Sequence, residues 1–519
     1  MSTPATYDPH LARRSPWVYV VVSTLVIAGL VLLLWSPWTP TQPSKQPLVV
    51  YCAAGLIKPV QAIAKQYEAD YGVPVQIEPA GSGQLMAKIR AAPDLGDLFL
   101  SAEESFLDKL QGDQPPRVRE VIPVVRQRPV LAVGSASQGK IHSLDDLLAD
   151  DVKVALANPE ITAVGLLAKK QLSKSGHWQK LDAQRAQFAA KVSTVGTVNE
   201  AAQAVQVGAV QAAIVWDATA RQFDLAVVPV PELEGVESLI EIGVLSSAKH
   251  PSTALHFARY LSARDKGELE FAKHHYAPIP GADQWAERPK IELMTGAMLR
   301  PSLEKTLKEF EAREGIELTW IFNGCGILNT QILGGARPDA YFACDISFLP
   351  PVQEYFDAPR ELTENDLVIL VPKGQGRVKT LADLTQPGLR VGLGHPDKSA
   401  LGAVTVRLLK ANDQFQPLTS SGNVKVESAT GDHLLNQIVA GALDAAIVYR
   451  SNALATPENL EKHVDLVEIT APLAFASQPF AVGKNSQHAQ LMGRLLETIQ
   501  GQISRERFKS IGFRWKDGR

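Results

Sequence analysis

The sequence predicts an α/β fold used twice, with an N-terminal transmembrane helix followed by two tandem two-lobed domains. Three observations predict it. Strand-like and helix-like segments alternate from Leu48 onward in a βαβαβ order, which implies a parallel sheet with right-handed crossovers. The same order recurs from Ile291, with landmark residues of the first lobe repeating at an offset of 242. Each copy is then divided by a crossing strand into two βα series, which makes two lobes with a cleft between them.

The composition suits this architecture. The chain has 519 residues, 45% hydrophobic and 21% charged, with a formal net charge of −3. That leaves room for two or more cores and gives no electrostatic footprint for nucleic acid. Three cysteines, Cys52, Cys325 and Cys344, rule out a disulfide scaffold and allow one bridge. No motif calls for a cofactor or a metal.

The N-terminus stands apart. The run from Trp17 to Trp35 carries no charge and is long enough to span a hydrocarbon core as a helix. Trp17 and Tyr19 flank one end, and Trp35 and Trp38 the other, as an aromatic belt does. Arg13 and Arg14 precede the run and only Lys45 follows closely, so residues 1–16 are expected in the cytoplasm and the bulk outside. The expected order is a tail at 1–16, a single-pass anchor at 17–38, a Pro- and Thr-rich linker at 39–47, and domains at 48–285 and 286–519. A cleaved signal peptide is the competing reading, and Ser36-Pro37-Trp38-Thr39-Pro40 is a poor cleavage site for it. Cys52 is a poor lipid-attachment residue, because Val49-Val50-Tyr51 before it is bulky and strand-like.

In the first copy Leu48-Val49-Val50-Tyr51-Cys52 reads as a buried strand. A helix follows with Ile57, Val60, Ile63, Ala64, Tyr67 and Tyr71 at helical spacing, stopped by Gly72. A strand at 75–78, a turn at Ser82, a helix to Ala91 and a strand at 97–101 complete the series. In the second copy Ile291–Met294 is the first strand, and Leu299, Leu303, Leu307 and Phe310 face the core until Gly315. Asp97 matches Asp339, Phe106-Leu107 matches Phe348-Leu349, and Gly208–Trp216 matches Gly441–Tyr449. Val130–Gly134 and Leu367–Val371 are the expected crossing strands. Ser143-Leu144-Asp145-Asp146 and Thr380-Leu381-Ala382-Asp383 after them have the form of capping boxes.

The chemistry points to the turns. Gly81-Ser82-Gly83 and Gly324-Cys325-Gly326 each lie where a strand hands over to a helix N-terminus, where free N–H groups and the helix dipole favour an anion. A plain glycine turn is the simpler reading of either one alone. Gly81-Ser82-Gly83 lacks the spacing of a nucleophile elbow, and no phosphate-binding Gly-Lys-Ser/Thr loop occurs, so no enzyme is expected. His274-His275 lacks metal spacing and reads as a helix end.

Each half resembles periplasmic molybdate/tungstate-binding proteins, the soluble receptors of oxyanion ABC importers. The resemblance covers nearly all of 48–280 and 291–515. It rests on Ala53-Ala54-Gly55-Leu56, the Ser82 turn, Asp97–Ala102, Asn158-Pro159 to Gly165, Gly208 to Trp216 and Phe508–Phe513. It implies a type II periplasmic-binding fold closing by a hinge around an anion held by hydroxyls and backbone N–H groups. In the first domain the implied anion-binding positions are Gly55, Ser82, Val164, Val198 and Trp216. In the second they are Ala297, Cys325, Leu401, Gly431 and Tyr449. Gly55 and Ala297 lack the serine hydroxyl of the resembled family, Cys325 replaces another, and Trp216 donates where a tyrosine both donates and accepts. Cys325 and Cys344 are both placed near the second cleft, as a disulfide, a soft-ligand pair or two unrelated buried thiols. Lys58 and Arg300 fall near the cleft mouths or on solvated helix faces.

The expected function is a membrane-anchored, extracytoplasmic solute-binding protein for an oxyanion such as molybdate or tungstate, with ABC permease subunits as partners. The alternative is a membrane-tethered sensor or scaffold whose degenerate binding domains contact proteins.

Overall fold

The computed structural model describes residues 46–516, so the expected tail at 1–16, the anchor at 17–38 and most of the linker lie outside the described residues. Among the described residues no helix is long and apolar enough to cross a membrane.

The first half follows the expected alternation. Strand Leu48–Ala53 runs parallel between Val75–Ala80 and Leu98–Ser101. Five of its six residues are buried, as a strand covered on both faces requires. Helix Ile57–Tyr71 lays Val60, Ile63, Ala64 and Tyr67 on the sheet and stops at Gly72, whose φ of +68° suits glycine. Ser238–Leu245 and Val118–Gln127 extend the sheet antiparallel. The second lobe repeats the scheme, with Val154–Ala157 parallel between Val192–Val195 and Ala212–Trp216, then Pro129–Val133 and Ala226–Val228 antiparallel.

The second half has the same plan with one difference. Strand Lys290–Gly296 lies parallel between Glu317–Asn323 and Ala340–Phe342. The crossing strand Arg360–Pro372 is unbroken, however, and pairs with Phe475–Val482 in one lobe and Ala445–Tyr449 in the other. It is far longer than the segment 367–371 read from the sequence. One ten-stranded sheet therefore runs through both lobes, whereas the first half keeps two sheets of five. In the first half the crossing is broken at Arg128, whose N–H goes to Asp217 Oδ1 at 3.0 Å, and Pro129 has no N–H to give. The two segments expected as capping boxes lead into short 3₁₀ turns: Asp146 accepts the Ser143 N–H and Asp383 the Thr380 N–H, each at 2.9 Å, and only in the first does the reciprocal bond form, Asp146 N–H to Ser143 Oγ at 3.4 Å. Asp97 and Asp339 play one role twice, each accepting the N–H of the first strand, from Val49 and Glu292, at 2.9 Å.

Two separate hydrophobic cores form, one from each half. Between them lies a buried ionic cluster. Glu314, at the end of helix Arg300–Glu314, receives Arg494 through both oxygens at 3.0 Å and Arg259 at 3.3 Å. Arg259 comes from helix Pro251–Ser262 of the first half and Arg494 from helix Ala489–Gln500 of the second. Asp283 accepts the N–H groups of Gln490 and Leu491 at 2.8 and 3.0 Å, so the first half caps a helix of the second. Burial alone would raise the Glu314 carboxyl. Its hydrogen bonds to Arg494 and the charges of Arg494, Arg259 and Arg313 more than offset this and hold it below the usual range.

Removing that carboxylate strands two buried guanidinium groups. Glu314→Ala is expected to cost about 3–5 kcal/mol of unfolding free energy, read by urea denaturation. Because the folded carboxyl titrates below the unfolded one, the wild-type contribution is present at neutral pH and is lost as pH falls below roughly 4.3.

Candidate functional site

The first cleft is assembled from four element starts. Helix Ser82–Ala91 begins after the strand Val75–Ala80, helix Ala163–Leu172 after Val154–Ala157, and helix Val198–Gln206 after Val192–Val195. A short 3₁₀ turn, Ala54–Leu56, follows Leu48–Ala53. All four face one small cleft that is partly open to solvent. Gly55, Ser82, Val164, Val198 and Trp216 all line it, together with Thr162 and Thr197, and no lining residue is charged. First-turn N–H groups, such as those of Val164 and Val198, have no acceptor within their helices. The caps engage the later donors: Thr162 Oγ1 accepts the Gly165 N–H at 3.1 Å and Thr197 Oγ1 the Glu200 N–H at 3.2 Å. Ser82 Oγ accepts the Ala102 N–H at 3.3 Å, which leaves its own hydrogen to donate into the cleft.

The lobes are closed on each other. The Gly83 N–H donates to the Ile161 carbonyl across the cleft at 3.0 Å, and Asn199 Nδ2 donates to the Ala54 carbonyl at 2.9 Å. A Cβ at Gly81 would lie 2.3 Å from the Ile161 carbonyl oxygen, and one at Gly83 2.6 Å from that of Glu160. These glycines are required by backbone approaching backbone. Gly55 has a related reason, since a Cβ there would stand 3.2 Å from Val198 Cγ1 and 3.9 Å from Trp216 Cδ1. The larger Trp216 and the missing side chain at Gly55 are thus neighbours. Beside them Thr219 Oγ1 is buried without a partner.

The second half is closed in the same way. A Cβ at Gly324 would lie 2.5 Å from the Lys398 carbonyl oxygen, and one at Gly326 2.0 Å from that of Asp397. Its cleft chemistry differs. Cys325 starts helix Cys325–Leu333, and its sulfur accepts the Cys344 N–H at 3.1 Å, the bond that Ser82 makes in the first half. Tyr449 is 2% exposed and its hydroxyl has no partner, and burial first, then Cys344 and Asp345, pushes its ionisation far up. Leu401 and Gly431 stand in the first turns of Ala400–Ala411 and Gly431–Val439, while Ala297 begins a 3₁₀ turn. Gly431 is packed against Asn452, whose Oδ1 lies 2.2 Å from where a Cβ would be. Asp345 is buried and bridges the lobes: its Oδ1 takes Arg407 at 3.3 Å and its Oδ2 takes the Ser477 N–H at 3.1 Å. Of the three readings for the cysteines, the disulfide is not formed, for Cys52, Cys325 and Cys344 are all free and buried.

The match to known proteins decides the family. The bacterial extracellular solute-binding protein family matches residues 48–277 and again 291–514. The chain belongs to this family, twice over. A Haemophilus influenzae protein described as a binding protein is 31% identical over 208 residues, which is 40% of this chain and 81% of that one. The molybdate-binding protein ModA of Mycobacterium bovis is 27% identical over 171 residues, 32% of this chain and 62% of the relative. The chain therefore spans under two thirds of that relative's length. Among solved structures, the periplasmic molybdate-binding protein of Azotobacter vinelandii aligns with a TM-score of 0.38 at 20% identity, covering 45% of this chain and 99% of that one. The family is one of bacterial extracellular solute-binding proteins, not of enzymes.

Within this solute-binding protein Lys58 and Arg300 are both exposed on their helices, the second of the two readings given to them. Arg300 pairs with Glu304 at 3.1 Å on the helix surface, and Lys58 lies over the Phe223 ring at 5.6 Å. His274 follows helix Gly267–Lys273, as a helix end should. Thr162, Thr197, Asn199 and Thr219 were not singled out from the sequence. The two cap threonines carried a usable signal, a β-branched hydroxyl just before an apolar helix. Asn199 and Thr219 carried none, because their roles depend on lobe closure.

Closure itself is testable. Gly83→Ala puts a Cβ against the Glu160 carbonyl, so the first cleft is expected to stay open. Small-angle scattering should then show a larger radius of gyration than wild type under identical conditions.

Proposed function

We propose that the first cleft binds a tetrahedral oxyanion of the molybdate and tungstate class and that the chain presents it to an ABC permease. One observation carries the reading: three helix N-termini, of Ser82–Ala91, Ala163–Leu172 and Val198–Gln206, meet at one uncharged cleft with a free serine hydrogen. The helix starts supply first-turn N–H groups, such as those of Val164 and Val198, and a partial positive charge, so a dianion is held by fixed dipoles without a cation. Ser82 and Trp216 add side-chain donors. The molybdate-binding relatives agree with this choice of ligand class.

In this reading residues 48–285 and 286–519 are the two solute-binding domains, and 17–38 holds them at the outer face of the cytoplasmic membrane. The anion bridges the lobes, closure excludes water, and the closed form is what the permease meets. The second cleft keeps first-turn donors at Leu401 and Gly431, but it also holds the buried carboxylate of Asp345, which an oxyanion would oppose.

A thermal-shift series on the full chain with molybdate, tungstate, sulfate and phosphate tests this. At about a hundred times its dissociation constant a ligand adds ~2.7 kcal/mol to the domain that binds it. Ser82→Ala is expected to weaken molybdate or tungstate by roughly tenfold or more, the loss of one hydrogen bond to a charge. No shift with any of the four anions, or a shift indifferent to Ser82→Ala, would refute the assignment.

A further inference from the structure

The duplication gives every position of the second cleft a counterpart in the first. Around one point four positions differ together: Ala54 against Gly296, Ser82 against Cys325, Phe99 against Tyr341, and Ala102 against Cys344. In the first half the point holds one hydroxyl. In the second it holds two sulfurs and a phenol. Cys325 Sγ accepts the Cys344 N–H at 3.1 Å, and the Tyr341 hydroxyl is buried without a partner. A Cβ at Gly296 would lie 2.0 Å from the Cys344 sulfur, so the sulfur occupies space that only glycine leaves open. Both sulfurs are buried. The four differences are complementary, and together they build one pocket.

We infer that Cys325 and Cys344 form a two-thiolate site for a monovalent soft cation with a filled d shell, of the Cu(I) or Ag(I) class. Thiolate ligands select soft metals. Among the described residues no third His, Cys, Asp or Glu completes a metal cluster, so a tetrahedral zinc site is not provided for, whereas these monovalent ions accept two ligands in line. On binding, the two thiol protons leave as two metal–sulfur bonds form, and the complex carries one negative charge. The Cys344 N–H points at the Cys325 sulfur, which begins helix Cys325–Leu333, and favours that charge, while the Asp345 carboxylate, held by Arg407 at 3.3 Å, opposes it. The metal reaches the sulfurs when the lobes open, and closure seals it in. The two halves of one chain thus take ligands of opposite character, a hard oxyanion and a soft cation.

The test is a titration of the reduced full chain with Ag(I), followed by thiolate charge-transfer absorption and native mass spectrometry. One tightly held Ag(I) per chain is expected. Cys325→Ser and Cys344→Ala introduce the residues that the first half carries at these points, so they preserve packing. Each is expected to weaken Ag(I) by roughly 100-fold or more, at least what disturbing an outer-shell partner of a metal site costs. Cys52→Ala, a buried lone thiol in the other half, should change nothing. Ag(I) uptake indifferent to Cys325→Ser and Cys344→Ala would overturn the assignment. So would peptide mapping of the untreated protein that finds the pair as a disulfide resistant to reduction in the folded state. The Ag(I) titration needs no bound oxyanion, so its failure and a failure of the molybdate series are separate results.

Discussion

Everything in the first cleft depends on backbone N–H groups that helices cannot use themselves. An α-helix leaves its first donors unpaired. Buried donors without partners are costly, so a fold that turns several helix starts toward one point must provide water or a ligand there. Threonine caps at Thr162 and Thr197 take some of the donors and leave those of the first turn facing the cleft. The sheet order sets this up, since each helix begins at the carboxyl end of a parallel strand and those ends point the same way. The glycines at 81 and 83 then let one lobe's backbone touch the other's, which brings donors from both lobes within reach of one small ion.

Duplication lets the chain serve as its own control. Asp97 and Asp339 make one bond in two places, and Ser82 and Cys325 make another with oxygen in one case and sulfur in the other. Positions that keep the fold are repeated, whereas positions facing the cleft have diverged in company. The halves are also fused. Glu314, held by arginines from both halves, is the residue of the interface that least tolerates change, because a buried ion pair that loses one member leaves the other uncompensated. The lobes that carry helices Pro251–Ser262 and Arg300–Glu314 are packed against each other.

Much of this was legible in the sequence, for local reasons. Helical spacing ending at Gly72 and Gly315, buried strands and the repeat itself are encoded by neighbours along the chain, and the structure follows them closely. Gly55, Ser82, Val164, Val198 and Trp216 could be carried to one cleft by resemblance, and the structure does bring them together. What could not be read depends on distant partners. Arg259, Glu314 and Arg494 look like surface charges until helices far apart in sequence meet. The reason for glycine at 83 lies in a carbonyl of the opposite lobe. The unbroken strand Arg360–Pro372 was read too short because the register that continues it comes from Phe475–Val482.

The claim that matters most is the division of labour between the clefts. Isothermal titration of molybdate into the full chain tests it most directly. The account predicts one site per chain, abolished or strongly weakened by Ser82→Ala in the first half. Two equivalent sites per chain, or one that Ser82→Ala leaves intact, would contradict it.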